Sequence, residues 1–204
     1  LDDVDEGRIG LWGDSGDAAA VLVVAAFADK VRAVVSYNPT FGDGPMSEPP
    51  DPAVAEEMGR VIEADSLPSE VELRFGPGPI VADIPTDETM SPSPTAFRWF
   101  FEYGGRHGSG WRNEWSYTRT ATGVAFTPYD CLPLVEVPVL MVVGRDDEIQ
   151  SAHPAASRQA LSHVSGPTTW FDVDGGHFGA LYTDSSAFDA AAAAEIDFLT
   201  SALA

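Results

Sequence analysis

The chain has 204 residues, 44% of them hydrophobic, which is enough for one domain with a substantial core and too apolar for a disordered segment. Its formal net charge of −21, from 32 acidic against 11 basic residues, makes a surface that repels nucleic acid and anionic membranes. The only lysine is Lys30 and the only cysteine is Cys131, so an internal disulfide and a cysteine-built metal site are both excluded.

In chain order, Arg8–Gly13 reads as a short apolar strand ended by glycine, and Ser15–Asp29 as an alanine- and valine-rich helix. "VRAVVSYNP", residues 31–39, is a second strand, stopped by Asn38-Pro39. Strand, helix and strand joined by short links predict a parallel sheet. From 40 to 137 the rhythm breaks into a stretch rich in proline, glycine and aromatics, expected to be an insertion folded over one end of the sheet. Within it, "DPAVAEEMGRVIEA" (51–64) predicts a helix with Asp51 as N-cap and Pro52 at its first position. "VELRF" (71–75) and "GPIVADI" (78–84) suggest a hairpin around Gly76-Pro77, and "SPTAFRWFFEYGG" (93–105) an aromatic helix. The rhythm returns with a buried strand at 138–144, a helix at 153–164, a strand at 168–176 and a closing helix at 185–203. Phe188, Ile196 and Leu199 are expected on the buried face of that last helix. The expected organisation is therefore 1–39 and 138–204 as two parts of one α/β core, with 40–137 as a cap between them.

Three strand ends carry residues capable of hydrolytic chemistry, which requires a nucleophile, a base for its proton and an acid to orient the base. "GLWGDSGD" places Ser15 on a sharp strand-to-helix turn between Gly13 and Gly16, the layout of a nucleophile elbow. The amide of Gly16, at the helix N-terminus, is a candidate oxyanion donor. The competing reading makes Ser15 an ordinary helix cap. "VLMVVGRDDEI" runs a core strand through Gly144 into Asp146 and Asp147, either of which is a candidate acid. "FDVDGGHFGALY" puts His177 after a strand and two glycines, a setting that His107, His153 and His163 lack. The order Ser, Asp, His is that of the α/β-hydrolase triad.

The segments "IGLWGDS", "FFEYGGRHGSGW", "PVLMVVGRDDEI" and "DGGHFGALY" together resemble α/β-hydrolases of the dienelactone-hydrolase-like and acetyl-ester-hydrolase-like group, related to X-Pro dipeptidyl peptidase and cocaine esterase. The resemblance runs from about Arg8 to the C-terminus. It implies an α/β-hydrolase fold, a mostly parallel sheet flanked by helices with a cap. It further implies Ser15 as nucleophile, Asp147 as acid with Asp146 in reserve, and His177 as base. Two features depart from the pattern. Asp17 stands where relatives have a small residue, and the strands that precede the elbow in relatives, with the loop supplying a second oxyanion amide, are missing. The expectation is a fragment or processed product whose front portion is a partner of this chain.

The function expected from these residues is a serine hydrolase cleaving small carboxylic esters through an acyl-enzyme. The aromatic residues of the insertion, Trp99, Tyr103 and Trp111 among them, would line an apolar pocket, although packing within the cap explains such a cluster equally. Peptide or amide cleavage on the same triad and a non-catalytic binding protein of hydrolase fold are the alternatives. No metal or organic cofactor is implied, because no ligand cluster or dinucleotide glycine motif is present. No apolar run reaches the roughly 18–20 residues of a membrane span. The cytoplasm is the expected compartment, with secretion as the alternative, and the acidic, lysine-poor composition suggests a salt-adapted source.

Overall fold

Short β-branched runs ended by glycine or by Asn-Pro become parallel strands here, and the alanine-rich segments between them become the helices that cover the sheet. The computed structural model describes residues 5–64, 71–104, 108–120 and 127–204. They fall into two compact units, Leu1–Gly59 with Phe126–Ala204, and Arg60–Ala125. Residues 40–59 and 127–137, read from the sequence as part of the insertion, thus group with the sheet.

In the first unit, β1 (Ile9–Asp14), β2 (Val31–Tyr37), β5 (Val139–Gly144) and β6 (Thr168–Val173) form a four-stranded sheet in the order β1-β2-β5-β6. Every pairing is parallel. Alternation along the strands divides the core into two layers. Val34, Val139, Met141 and Val143 pack with Ala19 and Leu22 of α1 (Gly16–Phe27) and with Ala156 and Ala160 of α4 (Pro154–Leu161). Val35, Tyr37, Leu140 and Val142 pack on the other face with Ala191, Phe198 and Leu199 of α5 (Ser186–Ala202). All six residues of β5 are buried, as befits a central strand covered on both faces.

The expected face of α5 needs correction, and one short helix is new. Ile196 is 63% exposed, and α5 instead turns Ala187, Ala191, Phe198 and Leu199 to the sheet. A 3₁₀ helix at Pro128–Leu134, closed by a capping box between Thr127 and Asp130, was hidden by its two prolines; it adds Tyr129 and Leu132 to the α1 layer. Helix α2 (Pro52–Glu63) begins as predicted, with the Asp51 carboxylate accepting from the amide of Ala53 at 2.9 Å.

The second unit contains α3 (Pro94–Gly104) and a two-stranded antiparallel sheet of β3 (Val71–Gly78) and β4 (Trp115–Thr120). The predicted hairpin between 71–75 and 78–84 does not form. Instead β3 continues through Gly76-Pro77 and pairs with β4, a distant segment that the sequence reading left without a strand. Among the described residues no helix is long and apolar enough to cross a membrane.

Candidate active site

Because β1, β5 and β6 run parallel, the residues that follow them emerge at one edge of the sheet, its carboxyl edge. Ser15 follows β1, Asp147 follows β5 and His177 follows β6.

Ser15 has φ 58° and ψ −119°, a conformation that L-residues rarely hold unless their surroundings enforce it. The enforcing contacts are visible. Its amide donates to the carbonyl of Tyr37 at 2.9 Å, and its carbonyl accepts from the amides of Ala18 at 3.2 Å and Thr40 at 3.3 Å. Gly13 is required by the same turn, since a Cβ there would collide with the backbone carbonyl of Asp17. Ser15 occupies the N-cap position of α1, yet its side chain makes no capping hydrogen bond. The helix-cap reading of this serine therefore fails. Gly16 opens α1 and is exposed, so its amide is one of the N-terminal donors that a helix leaves without an internal partner. Asp17, in the first turn, is also exposed.

The imidazole of His177 is placed by a well-defined hydrogen bond. Its Nδ1 lies 2.8 Å from Oδ2 of Asp147, and the two side chains are 2% and 0% exposed. The other oxygen, Oδ1, accepts from the amide of Ile149 at 2.9 Å, which fixes the carboxylate's rotation. Asp146, the reserve acid, is exposed instead, and its amide donates to the carbonyl of Gly175 at 3.1 Å. It helps to shape the loop and stays away from the ring. The close approach of the β5 and β6 ends needs Gly144, where a Cβ would come within 2.9 Å of the Gly175 carbonyl.

Three further residues hold the histidine loop, and sequence reasoning passed over all of them. Asn38, buried and at φ 45°, donates through Nδ2 to the His177 carbonyl at 2.8 Å and accepts through Oδ1 from the Gly144 amide at 2.7 Å. One side chain just after β2 thus joins the end of β5 to the loop after β6. Tyr37 donates to the same carbonyl at 3.3 Å and accepts from the Ala180 amide at 3.3 Å. Burial pushes its hydroxyl well above the ordinary tyrosine range, so it remains a donor. Glu148 accepts from the His177 amide at 2.9 Å. The available signal was the Asn-Pro pair, which had been read only as a strand stop.

Trp99, Tyr103 and Trp111 come together as well, but within the second unit. Trp99 stacks on Tyr103 at 5.7 Å between ring centroids, and Phe100 bridges Trp99 to Trp111 at 5.1 and 5.6 Å. These rings pack against one another, as an aromatic cap core would.

Solved structures match this fold over almost the whole chain. The α/β-hydrolase GrgF from Penicillium sp. sh18 matches with a TM-score of 0.63 at 17% identity, over 98% of this chain and 65% of its own. The chain has the α/β-hydrolase fold. DcsB, solved with a substrate analogue, matches with a TM-score of 0.65 at 20% identity, over 100% of this chain and 67% of its own. A monoacylglycerol lipase from Paleococcus ferrophilus matches with a TM-score of 0.53 at 17% identity, over 95% of this chain and 68% of its own. The chain thus spans about two thirds of the length of these structures. No protein-family model and no curated protein matches its sequence, so the dienelactone-hydrolase-like group gains no separate support.

Proposed function

We propose that this chain carries the working edge of a serine hydrolase acting on carboxylic esters, with Ser15 as nucleophile, His177 as base and Asp147 as orienting acid. The observation that carries the proposal is the buried His177–Asp147 hydrogen bond of 2.8 Å, on the sheet edge where Ser15 holds a left-handed backbone. An Nδ1–H donated to Asp147 leaves Nε2 with its lone pair, the tautomer that accepts a proton from a serine hydroxyl. In the reaction, Ser15 Oγ attacks the ester carbonyl while His177 Nε2 takes its proton. The Gly16 amide donates to the oxyanion that forms. The imidazolium, held by Asp147, then returns the proton to the leaving alcohol, and water clears the acyl group by the same steps in reverse. The lipase among the similar structures supports the choice of esters.

One part of the proposal reaches beyond these residues. A second oxyanion donor would come from the portion of the fold outside this chain's span, docking along the β1 side of the sheet.

The test is labelling with a fluorophosphonate, which reacts with serines activated by a neighbouring base, followed by mass-spectrometric location of the modified peptide. Label is expected on the Ser15 peptide and absent in His177→Ala, with turnover of short-chain nitrophenyl esters alongside. Folded protein that takes no label would overturn the reading and leave a binding protein of hydrolase fold in its place.

A further inference from the structure

Among the described residues, Ser15 at φ 58° and Asn38 at φ 45° are the two that hold a left-handed backbone without being glycine. They are joined. The carbonyl just before Asn38, that of Tyr37, accepts from the Ser15 amide at 2.9 Å. The amide just beyond Pro39, that of Thr40, donates to the Ser15 carbonyl at 3.3 Å. The chain on both sides of Asn38 therefore clasps the serine's own N–H and C=O.

The conformation of Asn38 is the more demanding of the two. A residue before proline is ordinarily extended, and a left-handed one persists only where its surroundings over-determine it. Asn38 is fully buried, and its amide donates to the Val142 carbonyl at 2.9 Å. Both ends of its side chain are used as well: Nδ2 donates to the His177 carbonyl at 2.8 Å, and Oδ1 accepts from the Gly144 amide at 2.7 Å. That pair of bonds needs a short side chain with both a donor and an acceptor, and asparagine is among the few non-glycine residues that tolerate a positive φ. Gly144 leads into the turn that carries Asp147. The same amide thus reaches the backbone behind the acid and the backbone of the base.

We propose that Asn38 is a positioning residue that sets the spacing of Ser15, Asp147 and His177. Its flanking backbone holds the serine turn, and its side chain holds the two strand ends from which the acid and the base project. The role rests on the serine-hydrolase reading of those three residues. A displacement of about 1 Å between reacting groups can cost about 100-fold in rate, so the loss should fall on chemistry and not on substrate binding.

Two variants separate the turn from the tether. Asn38→Gly retains the ease of a left-handed backbone and removes both side-chain bonds. Asn38→Asp keeps the size and the acceptor for Gly144 but turns a second oxygen, in place of the donor, toward the His177 carbonyl. In both, kcat on a nitrophenyl ester is expected to fall about 100-fold, with KM within about twofold of the wild type. A second readout needs no turnover. The Nδ1–H proton of His177, held against Asp147, gives a far-downfield proton NMR signal, identified by its loss in His177→Ala. It is expected to shift or to broaden beyond detection in both variants, with circular dichroism showing them folded; should one fail to fold, the other decides. That signal unmoved in a folded variant overturns the proposal, as does a kcat within about threefold of the wild type. If the wild type neither labels with fluorophosphonate nor cleaves ester, the hydrolase reading fails, and the proton signal still decides whether Asn38 holds acid and base together.

Discussion

Replacing Asp14 by asparagine keeps the size of the side chain and removes its charge, and the structure sets the energetic consequence. The carboxyl is raised from its ordinary 3.8 to about 6, chiefly by burial. In the unfolded chain it ionises near its ordinary value, so between these limits the folded state binds more protons than the unfolded one. Wild-type stability must therefore fall as pH rises through this window, and Asp14→Asn, lacking the group, must be spared that loss. At about 1.36 kcal/mol per pH unit, the full penalty reaches about 3 kcal/mol, all of it present above the folded-state value. The sequence pI is about 4.2, so titration is best kept above pH 5, where net charge keeps the protein dispersed. Roughly half of the penalty, about 1.5 kcal/mol, falls between pH 5 and 7.5. Urea unfolding of both proteins at several pH values in that range, followed by far-ultraviolet circular dichroism, measures the difference directly. Asp14→Asn should gain on the wild type by that amount as pH rises. A difference that stays flat across the range would refute the argument and mean that water or a donor reaches the carboxylate in solution.

Asp147→Asn should retain the fold and lower kcat on esters by about 10⁴-fold, since an amide favours the wrong imidazole tautomer; steady-state kinetics beside circular dichroism checks this. Asn38→Ala leaves the buried Gly144 amide without its partner and removes one of two donors to the His177 carbonyl. A loss of about 2 kcal/mol in denaturant unfolding, with weaker labelling of Ser15, is the expected result. Gly13→Ala forces a Cβ into the backbone of Asp17, so the turn must open and labelling should vanish even in protein that remains folded. Raising sodium chloride from about 0.1 to 1 M should raise Tm, because screening relieves the self-repulsion of a chain with net charge −21; an unchanged Tm would count against a salt-adapted surface.

The parallel sheet was legible because its strands are brief β-branched runs with clear stops, Gly13, Asn38-Pro39 and Gly144 among them. The serine turn was legible for a related reason: glycines around a serine between a strand and a helix leave few other conformations. The acid was legible only to within a pair. Both aspartates follow the same strand, and the choice of Asp147 depends on how the loop turns its side chains. The β3–β4 pairing was out of reach because the Gly-Pro pair is a strong local turn signal, whereas the true partner lies far along the chain. Ile196 misled in a different way, since one large apolar residue on an alanine-rich helix says little about which face is covered. The tether through Asn38 arises where separate segments meet, and no local pattern announces such a meeting.

The backbone of Ser15 also limits what could replace it. At φ 58° a branched Cβ crowds its own main chain, so threonine is disfavoured at this position however well its hydroxyl might react. Cysteine, unbranched and close in size, meets no such barrier. The turn therefore leaves exchange between oxygen and sulfur nucleophiles open while closing it to a secondary alcohol, and the choice of reactive atom at this sheet edge is narrowed by conformation before chemistry acts on it.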